Sequence, residues 1–319
     1  MAFRLKLVPD RSNFNFMKWR AVGFLFSALL TYISLGILFT SGLNLGIDLK
    51  GGLMIEVRTL ETPDIGAMRA AVDRLNLGEA GMQQLGDDND VLLRLPQQPG
   101  GEQANQELAA RVKVALEEVV GAVEYRRVEF VGPQVSGELI VNGALAVGLA
   151  ITAMLAYIWI RFEWQFGIGT TMALVFDAVT TLGLFSLLQL EFNLPIIAAI
   201  LTTIGYSMND KVVIFDRVRE NLRKYRSMPL IDLLNRSIND TLARTINTSF
   251  TTLIAVLALL FFGGDVLREF NLAMTWGVFI GTFSSMYIAA PALLYLSLNR
   301  GAMAKSESTA ATPAASPAE

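Results

Sequence analysis

The chain has no cysteine and no histidine among its 319 residues. Without cysteine there is no disulfide framework, no thiolate metal site and no thiol nucleophile. Without histidine, a group that changes charge near neutral pH must be a carboxylate or a lysine shifted by its surroundings. Charge is scarce too, at 17% of residues, where soluble proteins carry about a quarter. The net charge of −3 argues against a nucleic-acid partner. No Gly-rich loop ending in Lys-Ser/Thr is present to cradle phosphates. No metal, nucleotide or other cofactor is therefore expected, and energy should come from an ion gradient or from partners.

What is abundant is apolar sequence, 53% of the chain. An apolar run of about 20 residues crosses a bilayer core as a helix. Six stretches meet that mark: Ala21–Ser41, Leu139–Ile160, Phe166–Leu190, Leu194–Phe215, Thr245–Phe262 and Leu272–Leu298. The first follows Arg4, Lys6, Arg11, Lys18 and Arg20, and reads as an uncleaved span because it is long and lacks a small-x-small cleavage site. Lys and Arg in short flanking segments set orientation. They crowd the amino-terminal tail and the stretch 216–244, which has Arg217, Arg219, Arg223, Lys224, Arg226, Arg236 and Arg244, whereas 191–193 has none. Both termini are expected in the cytoplasm.

The expected organisation is a cytoplasmic tail (1–20), a first span (21–41), an outward-facing domain (42–136), a five-helix region (137–298) with a basic cytoplasmic loop at 216–243, and a disordered tail (299–319) rich in Ala, Ser, Thr and Pro. In the outward domain, Leu53–Thr59, Met82–Leu85, Val91–Leu95 and Val123–Val131 read as strands, the middle two around Gly86-Asp87-Asp88-Asn89-Asp90. Ile65–Leu77 and Gln103–Val120 read as amphipathic helices. The order βαββαβ suggests a ferredoxin-like domain, so the fold class is a membrane all-α six-helix bundle with an inserted α+β domain. That domain's acids outnumber its bases, 15 to nine, which speaks against an anionic ligand. An exposed sheet edge would suit a polypeptide client, and an inert solvated surface is the alternative.

Ionisable groups inside spans are costly and tend to face a bundle interior, a partner or a water path. Asp177 falls near mid-membrane in the third run, about 18 Å along it at 1.5 Å per residue. It could instead be a packing residue beside Thr180 and Thr181. Asp210 lies in Gly205-Tyr206-Ser207-Met208-Asn209-Asp210-Lys211, inside the cytoplasmic end of the fourth run. It could pair with Lys211, but sequence neighbours do not share a helix face, whereas Tyr206, four residues back, does. Arg244 opens the fifth run and shares a polar stripe with Thr248, Thr251 and Thr252; a flanking charge or a partner of Asp240 is its plainer reading. Together they suggest a proton site. Burial raises a carboxylate's pKa and a guanidinium lowers it, so moving Arg244 towards or away from Asp210 would load and unload the acid. Small residues recur every fourth position at Gly277, Gly281, Ser285 and Ala289, and at Ala199, Thr203 and Ser207. Such stripes permit close helix contact.

Several segments together resemble the SecF family, membrane subunits of the bacterial Sec protein-export machinery within the SecD/SecF group. They are Gly46-Ile47-Asp48-Leu49-Lys50-Gly51-Gly52, Val131-Gly132-Pro133 with Val135-Ser136 and Glu138-Leu139, Gly205–Asp210 with Asp216-Arg217 and Arg219-Glu220-Asn221, Thr241-Leu242 with Arg244-Thr245 and Thr248-Ser249, and Gly281–Ser285. The match covers about residues 15–300. The resemblance implies a multi-pass inner-membrane protein with a periplasmic domain at 42–136 and SecD as partner. It implies work with SecYEG, and with YajC and YidC, on an exported polypeptide, driven by the proton gradient as in resistance-nodulation-division transporters. It implies no bond chemistry and no nucleic acid. Asp210 and Arg244 match the family's proton-passage positions, and Asn209 and Asp177 complete the candidate set. Where the family has His-Asp, this chain has Phe176-Asp177, so no histidine role applies; Leu49 stands where Phe is usual. Gly46, Asp48, Gly51 and Gly52 are a candidate hinge for the outer domain. Gly277, Gly281 and Ser285 are candidate helix-packing positions. The competing readings are a half-size proton-coupled exporter of lipids or small molecules, and a passive assembly scaffold.

Overall fold

The computed structural model describes residues 12–296 apart from 61, 76, 79, 86–88 and 97–100. The tail at 299–319, the tip of the 86–90 turn and Arg4, Lys6 and Arg11 lie outside the described residues.

Helix α1, Arg20–Ser41, has 22 residues without a charge after its first, about 33 Å at 1.5 Å per residue and enough to cross a bilayer core. A single 3-10 turn, Phe16–Trp19, leads into it, capped by the Asn15 side chain, which accepts from the Lys18 N–H. The chain then forms β1 (Asn44–Leu45), a one-turn helix α2 (Ile47–Lys50), β2 (Gly52–Thr59), α3 (Ile65–Asp73), β3 (Gly81–Leu85), β4 (Asp90–Leu95), α4 (Gly101–Val120) and β5 (Val123–Val131). Strands β2 to β5 make an antiparallel sheet in the order β3-β4-β2-β5. Alternation explains the core. Leu53, Ile55 and Val57 of β2 and Val91, Leu93 and Leu95 of β4 share one face and bury against Met68 and Val72 of α3 and Leu108, Val112 and Leu116 of α4. At the far end of the sheet, Asp90 receives two 2.7 Å hydrogen bonds from Arg58. That guanidinium, with Arg126 beyond it, holds the Asp90 carboxyl below its usual range against the opposing effect of burial.

The rest is helical: α5 (Pro133–Arg161), α6 (Trp164–Leu188), a two-residue β6 (Glu191–Phe192), α7 (Leu194–Lys224), α8 (Leu230–Phe262), α9 (Asp265–Ser284) and, past a π-helical turn at Ser285–Ala289, α10 (Ala290–Tyr295). In that turn the Ala290 N–H reaches the Ser285 carbonyl. Pro291 follows directly and has no N–H to continue the ladder. Five segments are long and apolar enough to span: 16–41, 134–161, 164–188, 230–262 and 267–295. Helix α7 is as long, at 31 residues, but carries charges from Asp210 onward. The 267–295 segment is 72% buried and 164–188 is 50%, whereas 134–161 has no buried residue in its apolar window. Helices α6, α7 and α9 therefore make the inside of the bundle, and α1, α5 and α8 its periphery.

One expectation needs correcting. The stretch 216–243 is not a loop: α7 runs on to Lys224 and α8 begins at Leu230, leaving a short turn between. Leu233, Leu234, Ile238 and Leu242 recur at helical spacing and are buried, so an apolar stripe continues the helix where charge content alone suggested a break. Arg244 consequently sits well inside α8 rather than at its start.

Candidate functional site

Helix α7 positions the chemistry. Consecutive residues on a helix point about 100° apart, so Asp210 and Lys211 face different neighbours. Lys211 is fully buried and turns to α6 and α9. Its ammonium donates to Asp177 Oδ2 at 2.9 Å, to Ser284 Oγ at 3.1 Å and, very closely, to Ser207 Oγ. The Ser207 hydroxyl itself donates to Asp177 Oδ2 at 2.6 Å. An ammonium has three donors and no acceptor, and all three are engaged. Asp177 Oδ1 has no partner among the described residues. The neighbouring Thr180 and Thr181 do not serve the carboxylate; their hydroxyls donate to the carbonyls of Phe176 and Asp177.

Asp210 faces α8. It is 3% exposed, yet its one hydrogen bond, from Thr245 Oγ1 to Oδ1, is 3.4 Å long. Oδ2 has no partner among the described residues. Along the same antiparallel seam, the Tyr206 hydroxyl donates to Ser249 Oγ at 3.1 Å, and Ser249 shares a 2.7 Å bond with Thr282 of α9. Nearer the turn between α7 and α8, Arg217 pairs with Asp240 at 2.8 Å, and Asn221 donates to Ser237 at 2.9 Å.

Arg244 is exposed, and its guanidinium makes no hydrogen bond or ion pair among the described residues. It bonds neither Asp210 nor Asp240, the latter being taken by Arg217 and Asn221. Asn209 is likewise exposed on α7, as are Thr202 and Gly205. The structure thus brings Asp177 together with Ser207, Lys211 and Ser284, sets Asp210 against Thr245, and leaves Arg244 and Asn209 on the outside of the bundle.

From sequence, Lys211 enters only as a possible partner for Asp210, and Ser284 only within the segment Gly281–Ser285. A signal existed: Lys211 continues the stripe Ala199, Thr203, Ser207 by one more step of four. The stripes themselves meet. A Cβ on Gly277 would overlap the Thr203 side chain, and one on Gly281 would lie 2.7 Å from Ser207 Cβ. Ser285 is buried in the π turn, and the Ala289 carbonyl lies against Gly169 of α6.

At the other end of the bundle, β1 pairs in parallel with β6, and the Gly46 N–H donates to the Phe192 carbonyl at 2.9 Å. A Cβ on Gly46 would stand 2.6 Å from Glu191 Oε1. Asp48 lies in the one-turn helix, and Gly51 and Gly52 adopt φ of +72° and +135°, values that favour glycine. Gly46 is thus tied to the bundle, whereas the Gly51 N–H donates to the Ile47 carbonyl at 2.8 Å and Gly52 is paired with Val131 in the sheet, so both glycines of the candidate hinge are held by backbone bonds. Arg94 of β4 forms an ion pair with Glu191 beside this junction. Burial pushes the Glu191 carboxyl above its usual range, while Arg94 pulls it back.

Apolar helices enclosing a buried ion pair and a poorly satisfied acid, with an α+β domain carried between the first two, define a multi-span membrane protein of the transport class. Two family profiles match: "Protein export membrane protein SecD/SecF, C-terminal" over residues 111–299 and "SecD/SecF GG Motif" over residues 36–59. The chain belongs to the SecD/SecF family. It is 46% identical over 307 residues to a protein translocase subunit SecF of Cereibacter sphaeroides, covering 94% of this chain and 95% of that one. It is 42% identical over 302 residues to the same subunit of Rickettsia rickettsii, covering 93% and 96%. Among solved structures it resembles SecDF of Thermus thermophilus, a translocon-associated membrane protein, with a TM-score of 0.82 at 36% identity over 92% of this chain. It spans 40% of that SecDF chain. Relatives that match along nearly their whole length make this a SecF-type subunit of Sec protein export, and they leave the half-size exporter reading without support.

Proposed function

We propose that the chain acts with a SecD-type partner to couple the proton gradient to the late stage of polypeptide export through SecYEG. On this reading it crosses the inner membrane six times, α7 supplying the sixth crossing, with both termini cytoplasmic and residues 42–136 in the periplasm as a ferredoxin-like domain. The βαββαβ order of that domain and the distribution of Lys and Arg support the assignment. YajC and YidC are proposed further partners, the gradient is the energy source, and no cofactor is invoked.

The observation that carries the proposal is the state of Asp210, buried with one long hydrogen bond and one unpartnered oxygen. A carboxylate so poorly satisfied is suited to bind and release a proton. Arg244 and Asn209 lie exposed on the adjoining face. A guanidinium facing lipid at this depth is costly, so this face is assigned to SecD, whose residues would complete the path. Asp177 enters differently, held with Lys211 as a buried pair of zero net charge beside Asp210.

The test is proton flux and gradient-dependent export in vesicles carrying the full translocase. Asp210→Asn removes the proton-binding group, and Arg244→Ala its countercharge. Both are expected to abolish gradient-driven export while leaving the subunit assembled. Wild-type flux and export in both variants would sink the reading.

A further inference from the structure

The segment before α1 is fastened to α8 by a side-chain clasp. The Asn239 amide holds the backbone of Phe14 from both sides: the Phe14 N–H donates to Oδ1 at 2.8 Å and Nδ2 donates to the Phe14 carbonyl at 2.8 Å. One turn back on α8, Asn235 Oδ1 accepts from the Met17 N–H at 3.4 Å, and the Ser12 hydroxyl donates to the Asn239 carbonyl at 3.3 Å. Phe16 and Met17 are buried, with Phe16 edge-on to Tyr287. Gripping a backbone residue through both its N–H and its C=O uses the oxygen and one donor of the carboxamide, and Nδ2 also donates to the Asn235 carbonyl at 2.8 Å. It fixes the strap without regard to side chains in the strap.

The position of the clasp matters because it ties the end of α8, where that helix is also bonded to α7, directly to the root of α1. Helices α6, α7 and α9 are joined by the Asp177–Lys211–Ser207–Ser284 cluster and by close glycine contacts. Helix α1 packs onto the same body, with Gly183 of α6 directly against Ser34. Helix α8 meets this body through its buried apolar stripe, through the Arg217–Asp240 ion pair and the Asn221 bonds near the α7–α8 turn, and further along through hydroxyl bonds at Thr245 and Ser249. The strap crosses from α1 to α8 at the cytoplasmic end, and Arg244 lies about 7–8 Å further along α8 from Asn239 at 1.5 Å per residue.

We propose that Asn239 is a positioning residue: it pins the cytoplasmic end of α8 to the root of α1, so that α8 swings about this point and carries Arg244 across Asp210. The inference rests on the proton-coupled reading and adds the pivot that makes a swing of Arg244 productive. Without the pin, α8 can shift without any consequence for α1, and hence for the outer domain that α1 carries.

The experiment uses the full translocase in vesicles and reads proton flux and export together. Asn239→Ala is expected to keep Asp210-dependent proton flux while export per proton falls by roughly threefold or more, the scale of losing one to two hydrogen bonds. Export per proton equal to wild type would overturn the proposal. Because the chain has no cysteine, Phe14→Cys with Asn239→Cys supplies a reversible pin in the same folded protein. Oxidised, it is expected to export like wild type; reduced, it should match Asn239→Ala. Equal export in both redox states, with the crosslink verified, would overturn the pivot. If Asp210→Asn exports normally in parallel vesicles, the proton-coupled reading fails, which is a different outcome from failure of the pin.

Discussion

On the side of α7 that faces α6 and α9, Lys211 is fully buried and spends each of its donors on Asp177, Ser207 and Ser284. On the side that faces α8, Asp210 is nearly as buried but accepts one 3.4 Å bond. Adjacent residues on one helix thus place a satisfied charge against one set of neighbours and an unsatisfied acid against another. A buried pair with its hydrogen bonds filled resists change, because separating it exposes two charges to low dielectric. An acid with a free oxygen has little to lose on gaining a proton. The contrast separates a seam among α6, α7 and α9 whose charges are filled from a seam with α8 that leaves one acid oxygen without a partner among the described residues.

The largest expected effect comes from breaking the fixed side. Lys211→Met leaves the Asp177 carboxylate buried with Ser207 alone, which should destabilise the isolated subunit by about 3–5 kcal/mol, measured by denaturation in detergent micelles. Replacing the pair together, as Asp177→Leu with Lys211→Met, should recover much of that loss, since apolar residues of similar volume often substitute for buried ion pairs. A single variant as stable as wild type, or a double variant worse than the single, would show that the cluster does not hold the body together.

The close contacts on the same side give the next effect. Gly277→Val would drive a side chain into Thr203, at a cost of about 1–3 kcal/mol for overpacking. Gly205 sits on the exposed face of α7 with nothing within 4 Å of its would-be Cβ. Gly205→Val should therefore leave the isolated subunit's stability within about 0.5 kcal/mol. Equal effects in the two variants would remove the distinction between packed and open faces of α7.

Much of this was legible in the sequence, and the gaps have physical causes. Five of the six apolar runs coincide with helices long and apolar enough to span, because length and composition suffice for that, and the fourth run lies in the charged helix α7. The two small-residue stripes predict close contact, and the structure joins Gly277 to Thr203 and Gly281 to Ser207. The role of Lys211 was hidden because its partner lies on another helix, and a lysine beside an aspartate invites a pairing with that neighbour which helix geometry forbids. The stretch 216–243 reads as a loop by charge, although its buried leucines and Ile238 already carry a helical period. Arg244 is exposed and its guanidinium makes no hydrogen bond or ion pair among the described residues, so its place in the polar stripe named no partner on another helix. The Asn239 clasp left no trace in sequence: it binds backbone, and any residue at position 14 offers that.

The smallest effect tests the side of α7 that faces α8. Thr245→Val removes the hydroxyl that reaches Asp210 while keeping shape, and a 3.4 Å bond is at the weak end of the range. The loss should stay under about 1 kcal/mol. Ser207→Ala on the opposite side removes a group that donates to Asp177 and accepts from Lys211, so two charged partners lose a bond at once. It should cost about 2–3 kcal/mol, the range for hydrogen bonds to charged groups. Both changes delete one hydroxyl from a buried position, so their ratio reports the difference between the two seams rather than the chemistry removed. A Thr245→Val variant as unstable as Ser207→Ala would mean that Asp210 is held as firmly as the Asp177–Lys211 pair, and the contrast between the two faces of α7 would fall with it.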